Sequence, residues 1–236
     1  PVYENGFSQA TRNSSQDAIN TAAAVLPTFL GGSADLAHSN MTYIKADGLQ
    51  DKYNPLNRNI QFGVREFAMG TILNGTQAAW HHALTSTTTP TVIVLTRQNL
   101  VVEEGTDFGK VAKGAYVVYD TPGFDTIIIA TGSEVNLAIK AAKELVLQGG
   151  KVRVVSMPST ELFDAQDATY KEDILPSKTR RRVAIEMAAT QSWYKYVGLD
   201  GAVIGIDIFG ASAPAQTVID NYGFTVENIV AQVKSL

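Results

Sequence analysis

An alternation of short apolar segments and longer amphipathic segments through residues 115–236 constrains the fold most strongly. Helices are favoured between the apolar segments, including one from Ser133 to Gln148, and a helix over Phe224–Lys234 closes the chain. Strands that alternate with helices pair mostly in parallel, because each helix carries the chain back across the sheet. The sequence therefore predicts a doubly wound α/β domain whose strands are Ala115–Tyr119, Thr126–Ala130, Val152–Met157, Val183–Glu186 and Ala202–Ile206.

Residues 1–100 predict another α/β domain, joined to the later one by a polar linker over 101–114. Its first helix is expected over residues 11–25, with Ser14 or Ser15 as the cap and Pro27 ending it. A complete domain usually needs about 100–150 residues. Because this part of the sequence offers few convincing strands, the domain is expected to be incomplete. The predicted elements after its first helix are the strands Ile60–Phe62 and Thr91–Thr96 and the helix Thr76–Ser86.

Composition excludes several classes of function. The net charge is −4, which gives no electrostatic footprint for nucleic acid. The basic run Arg180–Arg182 is too short to form a binding face and is interpreted as a solvated loop. The absence of cysteine removes thiolate chemistry, and no apolar run reaches membrane-spanning length. The first ten residues lack a signal-peptide pattern, so a cytoplasmic protein is expected.

The segment Asn59–Gly75 joins an apolar strand to a helix that carries an acid, Glu66, in its first turn. One interpretation is that this carboxylate only complements the helix dipole. The other is a carboxyl group among apolar neighbours, with a raised pKa, that shares a proton with a ligand nitrogen. The residues alone leave both interpretations open.

A polar loop is predicted over Phe29–Asn40. Gly31 and Gly32 permit a tight turn or a close backbone approach, and Ser33, Asp35 and Ser39 supply polar groups at a strand end. Such a loop suits ligand binding, although the pattern by itself is weak. A later segment, A-T-G-S-E-V over 130–135, lacks the full spacing of a phosphate-binding loop and is interpreted as a helix start.

Three segments, taken in order, resemble the transketolase family: G-G-S-A-D-L followed by S-N, F-G-V-R-E-F-A-M-G, and R-Q-N-L. The string F-G-A-S-A-P-A-Q-T-V-I-D-N-Y-G-F-T resembles the carboxyl-terminal domain of the same family. Related thiamine enzymes, such as pyruvate dehydrogenase β chains and deoxyxylulose-phosphate synthases, usually read A-E-Q where this sequence reads R-E-F. That difference favours transketolase within the superfamily.

The resemblance implies a thiamine diphosphate enzyme that moves a two-carbon ketol unit from a ketose phosphate to an aldose phosphate, as in the pentose phosphate pathway. It makes Glu66 the catalytic residue that hydrogen-bonds the aminopyrimidine ring. Asp35, Leu36 and Val64 become further cofactor neighbours. The residues implied to hold substrate phosphate are Arg12, Ser39 and Arg97. His38, where the family often has a small residue, is given no catalytic role.

Parts of a transketolase are missing from this sequence. The G-D-G motif that holds the diphosphate and a divalent metal, Mg²⁺ or Ca²⁺, does not occur, so no metal site is expected in this chain. A further family segment is expected to be missing after Gly75, and His81 and His82 do not replace its histidines. The chain is therefore expected to be inactive alone.

The resemblance also implies its partners. These are phosphorylated sugars, a second copy in a homodimer, and an amino-terminal domain that is supplied in cis or as a separate chain. Two alternatives remain open: another thiamine-dependent ketol or acetaldehyde transferase, and a non-catalytic dimerising fragment or subunit.

Overall fold

The computed structural model describes residues 7–29, 31–33, 37–61, 73–89, 91–93, 99–211 and 213–236. The chain divides into two compact units, Pro1–Val102 and Glu103–Leu236. In the first unit, β2 and β3 pair in parallel and β1 pairs with β4 in antiparallel fashion. The elements of this unit are β1 (Ser8–Ala10), α1 (Thr11–Val25), β2 (Gly31–Ser33), α2 (Ala37–Asn40), β3 (Asn59–Gln61), α3 (Leu73–Thr85) and β4 (Asn99–Val101).

Helix α1 has the bounds that the sequence predicts, but its start differs. Ala10 occupies the cap position without a side-chain hydrogen bond. The expected caps, Ser14 and Ser15, instead lie buried inside the helix. Their hydroxyls face packed neighbours, and Ser15 Oγ accepts a bond of 3.3 Å from the indole of Trp80 on α3. Ser15 therefore connects two helices rather than capping one, and Ser14 accepts a bond of 2.7 Å from the Gln9 side chain of β1.

Other expectations for the first unit are corrected. Gly31 and Gly32 do not form a tight turn but lie in strand β2, paired with Asn59 and Ile60 of β3. The described part of the predicted strand Thr91–Thr96, residues 91–93, has no regular structure. The predicted helix Thr76–Ser86 begins earlier, since α3 starts at Leu73 and runs to Thr85.

The second unit is built on a five-stranded sheet with the order β5-β7-β6-β8-β9. All neighbouring pairs are parallel except β5 with β7, which is antiparallel at the edge. Its elements are α4 (Phe108–Val111), β5 (Tyr116–Asp120), β6 (Thr126–Ala130), α5 (Glu134–Leu147), β7 (Val152–Ser156), α6 (Thr160–Asp164), α7 (Ala168–Ile174), β8 (Arg181–Ile185), a 3₁₀ turn (Thr190–Trp193), α8 (Tyr194–Val197), β9 (Ala202–Ile204), α9 (Ala215–Asn221) and α10 (Val226–Ser235).

The central strand β6 is buried along its whole length. Ile127 and Ile129 join a cluster with aromatic residues of α6 and α8, including Phe163 and Tyr196. Because neighbouring side chains of a strand point to opposite faces, Ile128 is directed to the other side of the sheet. Helices thus cover a sheet whose strands read as continuous apolar runs, the arrangement typical of doubly wound domains.

Two predictions about polar segments need correction. The predicted linker 101–114 contains the end of β4 and the short helix α4, which Asp107 caps by accepting a bond of 2.9 Å from the Lys110 amide. The predicted solvated loop at Arg180–Arg182 is largely strand β8. Arg182 is partly buried and donates to the carbonyls of Thr179, Leu175, Pro176 and Tyr196 at 2.7–3.1 Å.

Candidate functional site

Two of the predicted site residues, Arg12 and Ser39, lie in the described part of the first unit. Arg12 stands in the first turn of α1 and Ser39 in α2. The Arg12 guanidinium donates through Nη1 to the backbone carbonyl of Ser39 at 2.7 Å, across 27 residues of sequence. The structure therefore brings together two residues that the resemblance assigns to one ligand. The other predicted site residues, Asp35, Leu36, Val64, Glu66 and Arg97, lie outside the described residues.

After this contact, the Arg12 guanidinium still has an unused hydrogen-bond donor. Its Nε atom is buried and has no hydrogen-bond partner. A buried donor without a partner costs about 1–3 kcal/mol, so such atoms are rare unless a ligand completes them. Arginine presents its donors in a fixed plane that matches phosphate oxygens. The geometry at the start of α1 thus suits an anion.

The strand pair β2–β3 explains how two segments that are distant in sequence start at the same end of a sheet. Ser33 and Gln61 are the last residues of the two strands, and they are register partners. Since the strands are parallel, both leave the pair in the same direction. The segment that contains Asp35 and the segment that contains Glu66 therefore start side by side, although the segments themselves lie outside the described residues.

A network of side chains holds the loop between α2 and β3, and sequence reasoning missed it. Asn59, only 3% exposed, accepts a bond of 2.7 Å from the amide of Ile44 and donates to its carbonyl at 3.1 Å. On α1, Asn20 accepts from the amide of Lys45 at 2.8 Å and donates to the carbonyl of Tyr43 at 3.3 Å. These side-chain amides bond to backbone groups of the loop that have no partner in a β-sheet.

Arg58 and Asp47 form a partly exposed ion pair in the same network. The Arg58 Nε and Asp47 Oδ2 atoms are 2.5 Å apart. The Arg58 guanidinium also donates to the carbonyls of Ala23 and Leu26 at the end of α1, at 3.0 and 3.2 Å. The hydrogen bond from Arg58 lowers the pKa of Asp47 from its ordinary value. The only available sequence signal was the polar run Asn57–Asn59 directly before an apolar strand.

A buried carboxyl group, Glu134, and a half-buried one, Glu186, follow adjacent strands of the second unit. Glu134 begins α5 after β6, and Glu186 follows β8, where Ala130 and Ile185 are register partners. Burial raises the pKa of Glu134 to about 7, an effect that a bond from the Ser133 hydroxyl partly offsets. Burial and the charge of Glu134 raise the pKa of Glu186 to about 8. The Glu186 Oε2 atom has no hydrogen-bond partner.

These acids do not form a metal centre. Across the described ranges, no group of three or more histidine, cysteine, aspartate or glutamate side chains is placed to hold a metal ion. His38 is exposed, and its ring stacks on Tyr43 with the ring centres 5.6 Å apart. In the same described ranges, no helix is both long and apolar enough to cross a membrane.

Comparison with known proteins identifies both units. Residues 8–79 match the family described as "Transketolase, pyrimidine binding domain", and residues 114–225 match "Transketolase-like TK C-terminal domain". A probable transketolase of Streptococcus pneumoniae is 58% identical over an alignment that covers 100% of this chain. The chain belongs to the transketolase family. The transketolase of Bacillus subtilis, 39% identical, also aligns with the whole chain.

The chain spans about half the length of the curated transketolases it matches, 48% for both of these relatives. The alignment with the S. pneumoniae protein extends over 315 residues, against 236 in this chain. Residues of that relative therefore lie within the matched region without a counterpart here. Their position after Gly75 stays a prediction.

Solved structures agree with the family and the fold. A transketolase from Leishmania mexicana superposes with a TM-score of 0.91 at 29% identity and covers 100% of this chain and 46% of its own. A chain described as "Split gene transketolase, inactive beta4 tetramer" superposes with a TM-score of 0.71 at 19% identity. That match covers 96% of this chain and 97% of the other, and it supports the fold alone. The predicted α/β fold class is confirmed.

Proposed function

We propose that this chain supplies the pyrimidine side of a transketolase site, which transfers a two-carbon ketol unit from a ketose phosphate to an aldose phosphate. The observation that carries the proposal is the contact of Arg12 with Ser39, which leaves a buried guanidinium donor without a partner. Phosphate oxygens are natural acceptors for that donor. Arg97 completes the phosphate-binding set in this proposal.

Thiamine diphosphate is the cofactor in the proposal, and the strand pairing supports its fit. Segments carrying Asp35 and Leu36 on one side, and Val64 and Glu66 on the other, begin at the paired ends of β2 and β3. These residues would hold the pyrimidine half. The bound cofactor supplies the electron sink that the transfer of a ketol unit needs. Glu66 would hold or release a proton at a ring nitrogen, and Arg12 and Ser39 would orient the sugar.

The rest of the site is assigned to protein outside this sequence. A diphosphate and a divalent metal ion, Mg²⁺ or Ca²⁺, need ligands such as those of the G-D-G motif, which does not occur in this sequence. We propose that they come from the amino-terminal half of a transketolase, in cis or as a separate chain, and that the assembled enzyme is a homodimer. A cytoplasmic enzyme of the pentose phosphate pathway is the setting this proposal implies.

Replacement of Arg12 tests the proposal directly. In the complete enzyme, Arg12→Gln should raise KM for phosphorylated sugars about ten- to a hundredfold, because a charge-assisted bond contributes about 1.5–3 kcal/mol. KM for an unphosphorylated ketose should change little. The measurement is steady-state kinetics with both substrate types.

Lys52→Gln is the matched control, since Lys52 is an exposed cation of the same unit. It should leave both KM values unchanged. Equal losses for phosphorylated and unphosphorylated sugars in Arg12→Gln would contradict phosphate binding and assign Arg12 to folding. No transfer activity in the assembled protein would favour the non-catalytic alternative, and activity on other acceptors would favour a related ketol or acetaldehyde transferase.

A further inference from the structure

Residues 39–50, here called the substrate loop, comprise the last two residues of α2 and the first part of the connection to β3. Beyond the end of α2, and apart from an isolated bridge between Leu49 and Asn59, the loop has only turns, bends and irregular backbone. A backbone segment without a ladder needs other partners to hold one conformation. In this loop the partners are side chains from α1 and from the beginning of β3.

Asn59 makes the densest set of these contacts. Its Oδ1 accepts from the Ile44 amide at 2.7 Å. Its Nδ2 donates to the carbonyls of Ile44, Asp47 and Gly48 at 3.1, 3.1 and 3.2 Å. One buried amide thus engages both backbone groups of Ile44 and two carbonyls farther along. Ile44 is itself fully buried, against Ile19 and Ala23 of α1.

The backbone of Asn59 also links the substrate loop to the strand pair β2–β3. Its amide donates to the Gly48 carbonyl at 3.3 Å, and its carbonyl accepts from Gln50 at 2.8 Å. On the other side, Asn59 is the register partner of Gly31 in β2. A single residue therefore contacts the substrate loop while belonging to the strand that leads toward Glu66.

The opposite end of the substrate loop is tied to Arg12 through the Ser39 carbonyl. With that end held by α1 and the other end by Asn59, the position of Ser39 depends on both anchors. Loss of the Asn59 amide would leave the Ile44 amide and three carbonyls without this partner. Such a loss frees the loop locally, since the apolar contacts of Ile44 remain.

We infer that Asn59 is a positioning residue that sets the substrate loop, and with it Ser39 and Arg12, relative to the paired ends of β2 and β3. Asn59 acts through the loop and needs no contact with the substrate. The inference rests on the proposed function, because it assigns the loop to sugar phosphate. Substitution of Asn59 should therefore change the KM for the substrate, whereas substitution of a residue needed only for folding would change the amount of active enzyme.

The first test uses this chain by itself. Hydrogen exchange resolved by NMR should show the Ile44 amide exchanging at least tenfold faster in Asn59→Ala than in the unmodified chain. Amides of α3 should change much less. Ser15→Ala is the matched control, because it also removes a buried hydrogen bond of the first unit, the one to Trp80, without touching the loop. Equal exchange at Ile44 in both variants would overturn the inference.

The second test uses the complete enzyme. Asn59→Ala should raise KM for phosphorylated sugars about tenfold while kcat per active site stays within a factor of two, and Ser15→Ala should do neither. Asn59→Ser retains a smaller hydrogen-bonding group and should give an intermediate KM, which also provides a readout if the alanine variant does not fold. A lower kcat with unchanged KM in both Asn59 variants would overturn the positioning role.

The two proposals fail in different ways. If Arg12→Gln raises KM for phosphorylated sugars and the Asn59 variants do not, the proposed function stands and the positioning role is wrong. If Arg12→Gln leaves KM unchanged, the phosphate assignment fails, and the inference about Asn59 fails with it whatever the exchange rates show.

Discussion

The central strand β6 of the second unit is buried at all five residues, and it pairs with parallel neighbours on both sides. In the first unit, the chain between α2 and β3 is held by the side chains of Asn20, Arg58 and Asn59. Among the described residues, the second unit is stabilised by an apolar sheet core, whereas the loop between α2 and β3 of the first is held by side chains that bond to its backbone. The candidate site residues all belong to the first unit.

That difference separates folding from ligand binding. Apolar burial is non-directional, so a sheet core tolerates modest changes as long as volume is conserved. Hydrogen bonds from a buried amide to a loop are directional, and losing them moves the loop. Substitutions in the second unit should therefore act mainly on stability, whereas polar substitutions in the first should act on the site.

The largest expected effect is a backbone clash in the second unit. A Cβ at Gly114 would lie 2.2 Å from the Phe163 nitrogen and 2.5 Å from the Ser159 carbonyl oxygen, at a φ of +85°. Backbone atoms cannot rotate away as a side chain can. Gly114→Ala should lower the free energy of unfolding by about 4 kcal/mol or more, as measured by urea denaturation of the chain.

Two glycines provide controls for this clash. Gly149 has a similar φ of +86° with no atom within 4 Å of its added Cβ, so Gly149→Ala should cost only about 1–2 kcal/mol for the left-handed conformation. In the first unit, a Cβ at Gly31 would meet its nearest atom, the Thr42 carbonyl oxygen, at an ordinary 3.7 Å. Similar losses of unfolding free energy in Gly114→Ala, Gly149→Ala and Gly31→Ala would show that local packing does not distinguish the units.

Sequence reasoning worked best where a segment's own pattern determines its state. Thr126–Ala130 is an uninterrupted apolar run, and the strand has those bounds. Thr11–Val25 has helical spacing throughout, and the predicted and observed bounds also agree. The mostly parallel sheet follows from the order of such segments. β5 is the antiparallel exception, because residues 121–125 between β5 and β6 are too few for the crossover that parallel strands need.

Side chains whose partners are far away in sequence could not be predicted in the same way. Asn59 and Ile44 are 15 residues apart, and nothing in a polar loop indicates which amide a buried asparagine will contact. Arg182 was misinterpreted because an arginine run resembles a solvated segment until the carbonyls around it are known. The family resemblance assigned Arg12 and Ser39 to one ligand but did not predict their contact. The phosphate roles of these two residues stay predictions, as do the roles of Glu66 and Arg97.

The next prediction concerns catalysis and compares substitutions of two acids that each follow an apolar segment. In the complete enzyme, Glu66→Gln should lower kcat about a hundredfold, the usual scale for a lost acid–base group, while the fold is retained. Glu134→Gln, in the second unit, should leave kcat within a factor of about two. Steady-state kinetics and thermal unfolding of both variants provide the measurement.

The result also decides between the two interpretations of Glu66. An acid that only complements a helix dipole would contribute about 0.3–1 kcal/mol to stability and nothing specific to kcat. Unchanged kcat with slightly reduced stability in Glu66→Gln would therefore remove the catalytic role. An equal loss of kcat in Glu134→Gln would show that the second unit takes part in the chemistry and would break the comparison.

The last prediction concerns a pH dependence of stability in the second unit. Glu134 and Glu186 have folded pKa values of about 7 and about 8, above the ordinary value of 4.5. The folded chain therefore keeps protons that the unfolded chain releases as the pH rises past 4.5. Stability is highest below that value, falls as the pH rises, and levels off above about 8.

Glu186→Gln cannot ionise, so it removes part of that pH dependence. Trp193 lies in the second unit and Trp80 in the first, and in a Trp80→Phe background the fluorescence of Trp193 follows the second unit alone. The midpoint of thermal unfolding should drop less between pH 5.5 and pH 8 in Glu186→Gln than in its parent. Glu227→Gln, on the exposed side of α10, should behave like the parent. Identical pH profiles for all three proteins would mean that Glu186 finds a partner or water in the folded state, and the carboxyl pair would then contribute no pH sensitivity to the core of the second unit.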